Sequence, residues 1–260
     1  MALTYSEYLR LDELLSLQRP KSTGPEHDEM LFIVIHQVYE LWFKELLHEL
    51  DRLGRLLQDG DRVRIGHTLT RMAKIMKTMV GQVDILETLT PLEFLSFRSH
   101  LESASGFQSW QFRALEATLG RKDPGVLLRF PEGLIAREEL ERRHGAPCLW
   151  DAFLVFLAGE GVPVPEGDRA RDVTRSVEPS PALQQVLVDV YRRRPGIAVI
   201  CDQLLDFDEG LQEWRYRHMK MVQRTIGSRS GTGGSAGVEY LASTLGKPLF
   251  PDLWAIRSEL

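Results

Sequence analysis

The sequence predicts an all-α protein, and three observations carry that expectation. Apolar residues recur at spacings of three and four along most of the chain, the period of a helix face. No stretch joins strict alternation to the turn residues of a hairpin. The composition, 43% hydrophobic and 27% charged over 260 residues, is that of an ordinary globular chain and excludes disorder and collagen-like folds.

Helical spacing runs through residues 4–17, 26–57, 67–88, 92–101, 107–119, 147–160, 180–193 and 197–226. The first of these lies in an N-terminal segment, 1–24. For the second and fourth, Thr23-Gly-Pro-Glu26 and Thr90-Pro-Leu-Glu93 each supply a hydroxyl cap, an early proline and a glutamate that reaches back. Glycines and prolines break 120–134, and a Gly/Pro/charge-rich linker follows at 159–181, so a less regular insertion is expected around 120–180. Gly227 is placed to end the last long helix. Beyond it, Gly227-Ser-Arg-Ser-Gly-Thr-Gly-Gly-Ser-Ala-Gly237 reads as a mobile linker or as a lid that orders around an anionic ligand. One domain is expected over 1–260.

Charge and composition narrow the function. A net charge of -5 repels a phosphate backbone, which argues against nucleic acid. The longest apolar run, Met30-Leu-Phe-Ile-Val-Ile35, is far short of the roughly 20 residues of a membrane span, and no signal pattern opens the chain. Two cysteines, Cys148 and Cys201, form neither a disulfide framework nor a zinc pair, so a cytoplasmic location is expected and neither thiol is a strong nucleophile.

Three side chains stand out against this helical background. His36 shares a face with Phe32, Tyr39, Phe43 and Leu50, and His218 shares one with Phe207, Leu211 and Trp214. Each imidazole is either a hydrogen-bonded core histidine or a ligand-facing one; a single neutral imidazole on a rigid helix is also how haem iron is held. Arg98 lies among Phe94, Phe97 and Leu101, where a guanidinium needs either an internal glutamate or an anionic ligand whose carboxylate its planar fork matches. A di-iron reading of Glu45-Leu-Leu-His48 and Glu141-Arg-Arg-His144 is disfavoured: the first pair points away from the His36 face, and the second sits at an expected surface helix end. The hydrolase signatures Gly-x-Ser-x-Gly and His-Glu-x-x-His are absent.

Five segments in order are more specific than any single one: Tyr5-Ser-Glu-Tyr-Leu-Arg-Leu-Asp12, His27-Asp-Glu-Met-Leu-Phe-Ile-Val-Ile-His-Gln-Val-Tyr-Glu-Leu-Trp-Phe-Lys44, Ser103-Ala-Ser-Gly-Phe-Gln-Ser109, Trp214-Arg-Tyr-Arg-His218 and Gly231-Thr-Gly-Gly-Ser235. Together they resemble the tryptophan 2,3-dioxygenase family of haem enzymes. The similarity covers roughly 3–53, 75–117 and 197–257, and reaches 120–196 mainly at Pro179-Ser-Pro-Ala-Leu183.

The resemblance implies haem b, one per subunit and active as Fe(II), with His218 as its proximal iron ligand and O2 as co-substrate. It implies that His36 stands on the distal side and meets the substrate's indole N–H, that Phe32, Phe94 and Leu101 line the indole pocket, and that Arg98 grips the carboxylate of L-tryptophan. Thr232 would bind the substrate's carboxylate and ammonium ends, and Ser105 and Gly106 would lie against the haem edge. Tyr5, Tyr8 and Leu9 would reach a neighbouring subunit's site within a homotetramer, a dimer of dimers. The implied reaction opens the indole ring to give N-formylkynurenine, the first step of the kynurenine route. A related haem enzyme that adds one oxygen atom to tryptophan or a methylated tryptophan is the alternative. A helical haem sensor without turnover is a third reading.

Overall fold

The computed structural model describes residues 2–24, 26–233 and 237–260, and among them every regular element is helical, as the spacing predicts. Three long helices make the frame: α3 (His27–Asp59), α4 (Arg62–Leu86) and α12 (Pro195–Ile226). They follow two short N-terminal helices, α1 (Tyr5–Leu9) and α2 (Leu11–Leu14). Between them come α5 (Pro91–Arg98), α6 (Trp110–Thr118), α7 (Pro124–Leu127), α8 (Ile135–Gly145), α9 (Leu149–Gly159), α10 (Glu166–Arg169) and α11 (Pro181–Arg193). The chain closes with α13 (Val238–Ser243) and α14 (Pro251–Ala255).

The core grows out of that three-four spacing. On α3 the buried stripe is Ile35, Tyr39, Phe43, Leu46, Leu50, Leu53 and Leu57. On α4 it is Ile65, Leu69, Met72, Met76, Met79, Val83 and Leu86, and on α12 Ile197, Ile200, Leu204, Phe207, Leu211 and Trp214. Helix α4 packs against both α3 and α12, so the stripes merge into one apolar centre. At Gly210 of α12 a Cβ would come within 3.2 Å of the Met76 Cβ, so the missing side chain sets how closely α12 approaches α4. Two buried carboxylates tie down the tail. Asp208 accepts from the amides of Leu249 and Phe250 and from Trp254 Nε1, while Asp252 accepts from Ser180 N and Gln184 Nε2.

Several boundaries differ from the sequence reading. Residues 4–17 form two helices rather than one, because Arg10 adopts a left-handed conformation with φ 51°. Helix α4 begins at Arg62 instead of 67: Gly60, at φ 71°, ends α3, and the Asp61 side chain then caps Arg64 N. Thr90 and Glu93 form the expected capping box, and Gly227 ends α12. The Thr23 box is not formed; α3 starts at His27 with no side-chain cap, and Pro25 lies outside the described residues. Glu29 instead takes the neighbouring amides of Lys21 and Ser22. Residues 99–101 and 106–108 tighten into 3₁₀ turns. Helix α8 ends at Gly145, where the sequence reading expects a helix end, while α13 and α14 have no counterpart in that reading. His144, expected at a surface helix end, is buried and donates through Nδ1 to Leu140 O at 2.9 Å.

Candidate active site

A cleft of about 1340 Å³, counting the solvent at its mouth, opens among α3, α5, α6, α12 and α13. Its floor is aromatic. Trp214 packs edge-on against Phe43 at 6.2 Å between ring centroids, and Tyr39 and Phe112 complete the cluster at 6.0 and 5.2 Å from it. One turn beyond this floor on each long helix, α3 presents His36 and α12 presents His218.

The two imidazoles are held differently. His36 Nδ1 lies 2.6 Å from Phe32 O on the preceding turn; a carbonyl only accepts, so Nδ1 carries the proton and Nε2 is left as an acceptor. Its ring is walled by protein yet accessible through the cleft, and burial, opposed by Phe32 O and Glu40, holds its pKa below the ordinary 6.5. His218 stacks on Trp214 with rings 5.2 Å apart and 4° from parallel, and among the described residues it makes no hydrogen bond. Burial and the nearby His36 push its pKa down to about 4, so at neutral pH it is a neutral ring with a free lone pair. Neither imidazole is bonded to a neighbouring side chain among the described residues: His36 bonds the backbone of its own helix, and His218 bonds nothing.

Arg98 also faces the cleft and has no carboxylate partner among the described residues. Its Nη2 donates to Ser230 O at 2.6 Å. The internal ion pair weighed for it is therefore not formed. Thr232 Oγ1 donates to Ala104 O, and Gly233 lies so close to Ser105 that a Cβ there would meet the Ser105 Cβ at 2.6 Å. The described part of the glycine-rich segment is thus laid across the cleft mouth; Gly234, Ser235 and Ala236 lie outside the described residues.

Of the residues singled out from the sequence, the fold brings His36, Phe94, Arg98, Ser105, Gly106, His218 and Thr232 to this one cleft. Phe32 stands behind it, 4.1 Å from the His36 ring and 5.8 Å from Phe94. Leu101 packs on the core instead of lining the wall. Tyr5, Tyr8 and Leu9 do not reach the cleft of their own chain, and Tyr5 and Tyr8 are 74% and 73% exposed. Cys148 and Cys201 are buried with pKa values raised to about 11 and about 12, mainly by desolvation, which makes both inert. His48 is exposed and far from the chemistry, and no metal-ligating group of three His, Cys, Asp or Glu occurs among the described residues.

The sequence reading missed a charged corner of the cleft. Arg113 Nη1 donates to Glu116 Oε2 at 2.6 Å, Arg215 Nη2 donates to Glu116 Oε1 at 2.9 Å, and Arg121 lies 3.7 Å from the same carboxylate. Three guanidinium groups around one carboxylate leave an excess of positive charge. Arg215 Nη1 is buried without a hydrogen-bond partner among the described residues, which points to an anion as its missing acceptor. The available signal was Arg215 at i−3 from His218, on the same helix face. A neutral, unbonded His218 beside this corner fits a metal-centred prosthetic group that carries carboxylates.

Fold and cleft define an α-helical protein in which two long helices each turn one histidine into a shared, cation-edged pocket. The tryptophan 2,3-dioxygenase family matches residues 1–128 and 172–260 of this chain. A tryptophan 2,3-dioxygenase of Herpetosiphon aurantiacus is 58% identical over 259 residues, covering 100% of this chain and 99% of the relative. One from Anaeromyxobacter sp. (strain K) is 54% identical, covering 100% and 97%, and one from Caulobacter vibrioides is 44% identical, covering 99% and 98%. The chain belongs to the tryptophan 2,3-dioxygenase family of haem-dependent enzymes.

Proposed function

We propose that the protein uses haem b and O2 to open the indole ring of L-tryptophan, giving N-formylkynurenine as the first step of tryptophan breakdown by the kynurenine route. The observation that carries this reading is the neutral, hydrogen-bond-free His218 beside the Arg113–Glu116–Arg215 corner, across the same cleft from an N–H-accepting His36. When bound, the haem supplies the Fe(II) that activates dioxygen. His218 would hold the iron, Arg215 and Arg113 would meet the haem carboxylates, and Ser105 with Gly106 would border the macrocycle.

The chain's own work is then binding and orientation. His36 Nε2 accepts the indole N–H and fixes the ring in place. It serves as an orienting group rather than an obligatory base, because an indole N–H is a very weak acid. Phe94 borders the indole, with Phe32 bracing both Phe94 and His36, and Leu101 supports the wall from the core. Arg98 turns its fork from Ser230 O to the substrate carboxylate, so a ligand that lacks the carboxylate leaves a desolvated charge unpaired. Thr232 engages the carboxylate and ammonium ends as the glycine-rich segment closes and excludes water.

The same reading assigns the whole of 1–260 to one domain, with 120–180 as its least regular part, acting in the cytoplasm; no helix among the described residues is long and apolar enough to cross a membrane. It assigns a homotetramer, a dimer of dimers, in which Tyr5, Tyr8 and Leu9 reach a neighbouring copy's cleft. Support comes from their exposure: α1 and α2 contain no buried residue, and Leu3, Tyr5, Tyr8 and Leu15 are each at least 70% exposed. The test is reconstitution of wild type and His218→Ala with haem. Wild type is expected to hold haem and consume oxygen with tryptophan while His218→Ala loses the haem spectrum; equal haem content in the two would overturn the ligand assignment.

A further inference from the structure

The N-terminal segment leaves the body of the protein over a short stretch that has no regular structure, residues 17–22, and α3 holds that stretch at two points. Gln37 Nε2 donates to Leu17 O at 3.3 Å, and Gln18 Nε2 donates to Gln37 Oε1 at 2.5 Å. Two turns nearer the start of α3, the Glu29 carboxylate accepts from Lys21 N at 2.6 Å, from Ser22 N at 3.0 Å and from Ser22 Oγ.

The spacing of these points is taut. From Leu17 to Lys21 an extended chain covers about 13 Å, and from Gln37 to Glu29 the helix rises about 12 Å. The stretch therefore runs antiparallel to α3 with almost no slack, and its direction is set by the helix axis.

Glu29, like Asp208 and Asp252, is a buried carboxylate met by main-chain amides, but the amides it takes belong to an irregular N-terminal stretch. It is 1% exposed and makes no ion pair among the described residues; its charge is answered by the main chain and hydroxyl of residues 21 and 22. Burial works to raise its pKa, but these donors, with His100 nearby, outweigh it and hold the carboxyl below its usual value. A desolvated carboxylate spent on two amides of an irregular segment holds that segment and does little else visible in the fold. Beyond the clamp the apolar side chains of Leu3, Tyr5, Tyr8 and Leu15 stand in solvent, and what they gain by a fixed course is another surface to cover.

We propose that Glu29 and Gln37 form a clamp that aims the N-terminal segment at the cleft of a second copy of this chain, so that Glu29 is a positioning residue for a substrate pocket in its neighbour. This rests on the reading that Tyr5, Tyr8 and Leu9 complete a neighbouring site. Because Glu29 lies seven residues before His36, nearly in line with it along α3, an effect on its own cleft has to be separated from an effect on the partner's.

The experiment uses full-length, haem-loaded protein: wild type, Glu29→Gln, Gln37→Ala and a deletion of residues 2–16, each measured for haem absorbance, tryptophan KM and kcat. Glu29→Gln and Gln37→Ala are expected to raise KM about fivefold or more at unchanged haem content and with kcat within about twofold, and the deletion to raise it at least as far. Glu29→Gln is then co-assembled with His218→Ala subunits, which carry intact arms and silent clefts; a low-KM fraction is expected to return. A KM in the mixed assembly as high as in pure Glu29→Gln would place the effect in Glu29's own cleft and overturn the proposal. An unchanged KM in both clamp variants, with a raised KM in the deletion, would overturn the clamp and leave the arm reading standing. An unchanged KM in the deletion would remove both. Should Glu29→Gln not fold, Gln37→Ala carries the same co-assembly test.

Discussion

His36 donates through Nδ1 to the carbonyl oxygen of Phe32, 2.6 Å away on the preceding turn of α3. A bond to the helix's own backbone fixes the tautomer without any other element, and it leaves Nε2 facing the cleft as an acceptor. The residue that sets this tautomer also supports the pocket: the Phe32 ring touches both His36 and Phe94.

The bond predicts a modest role for His36. A hydrogen bond to a neutral group contributes about 1 kcal/mol, so His36→Ala should weaken tryptophan binding about fivefold while haem content and measurable turnover persist. Tryptophan methylated at the indole nitrogen should be penalised by wild type and hardly at all by the variant. Abolished turnover with full haem content would instead make His36 an essential base.

The pH dependence follows from the same ring. Its pKa is held below 6.5, chiefly by burial, so the neutral acceptor form is retained at and above neutrality and is lost as pH falls through that lowered value. Tryptophan KM should be flat from pH 8 to 7 and rise only below about pH 6.5. A KM that already climbs between pH 8 and 7 would contradict the assignment.

Arg98 should act through affinity and through the carboxylate. Hydrogen bonds to charged groups are worth about 1.5–3 kcal/mol, so Arg98→Ala should raise tryptophan KM roughly 10- to 100-fold with haem retained. Inhibition by indole, which has no carboxylate, should hardly change. Arg98→Lys should recover little of the loss, since a single ammonium does not reproduce the fork.

Gly233 tests how the glycine-rich segment seats. An added Cβ would lie 2.6 Å from the Ser105 Cβ, below any contact real Cβ atoms make, so Gly233→Ala should push the segment off the cleft mouth. Tryptophan KM should rise several-fold while the melting temperature stays within about 2 °C, a shift too small for a core defect in a chain of this size. An unchanged KM would mean that the segment closes without touching Ser105.

The capping box that starts α5 is a stability device close to the site. Thr90 Oγ1 accepts from Glu93 N, and Glu93 accepts in turn from Thr90 N. Thr90→Ala should cost about 1 kcal/mol, read in a denaturant titration, with little effect on kcat because Arg98 lies two turns further on. A loss of several kcal/mol would mean that α5 folds only with its cap intact.

Much of the frame was legible because α3 and α12 are long and their three-four stripes point to one core; the same periodicity put His36 and His218 on inward faces. The Thr90 box and Gly227 were legible because caps are local. The start of α4 was not, since it depends on Gly60 in a left-handed conformation and on the Asp61 cap, and its first turn buries only Ile65. At Thr23 a local signal lost to a tertiary one: Glu29 holds the preceding amides. The Arg113–Glu116–Arg215 corner escaped because its members come from two helices far apart in sequence, and only the fold joins them. Leu101, which the resemblance places in the pocket wall, ends the 3₁₀ turn at 99–101 and packs partly buried against the core.

The central claim is that this cleft inserts both atoms of dioxygen into tryptophan, and the most direct measurement is the mass of the product formed from L-tryptophan by haem-loaded, reduced protein under ¹⁸O₂. The account predicts one ring-opened product carrying two labelled oxygens. A product with a single label would identify a monooxygenase, and a bound haem spectrum with no product at all would identify a sensor; either result would contradict the account.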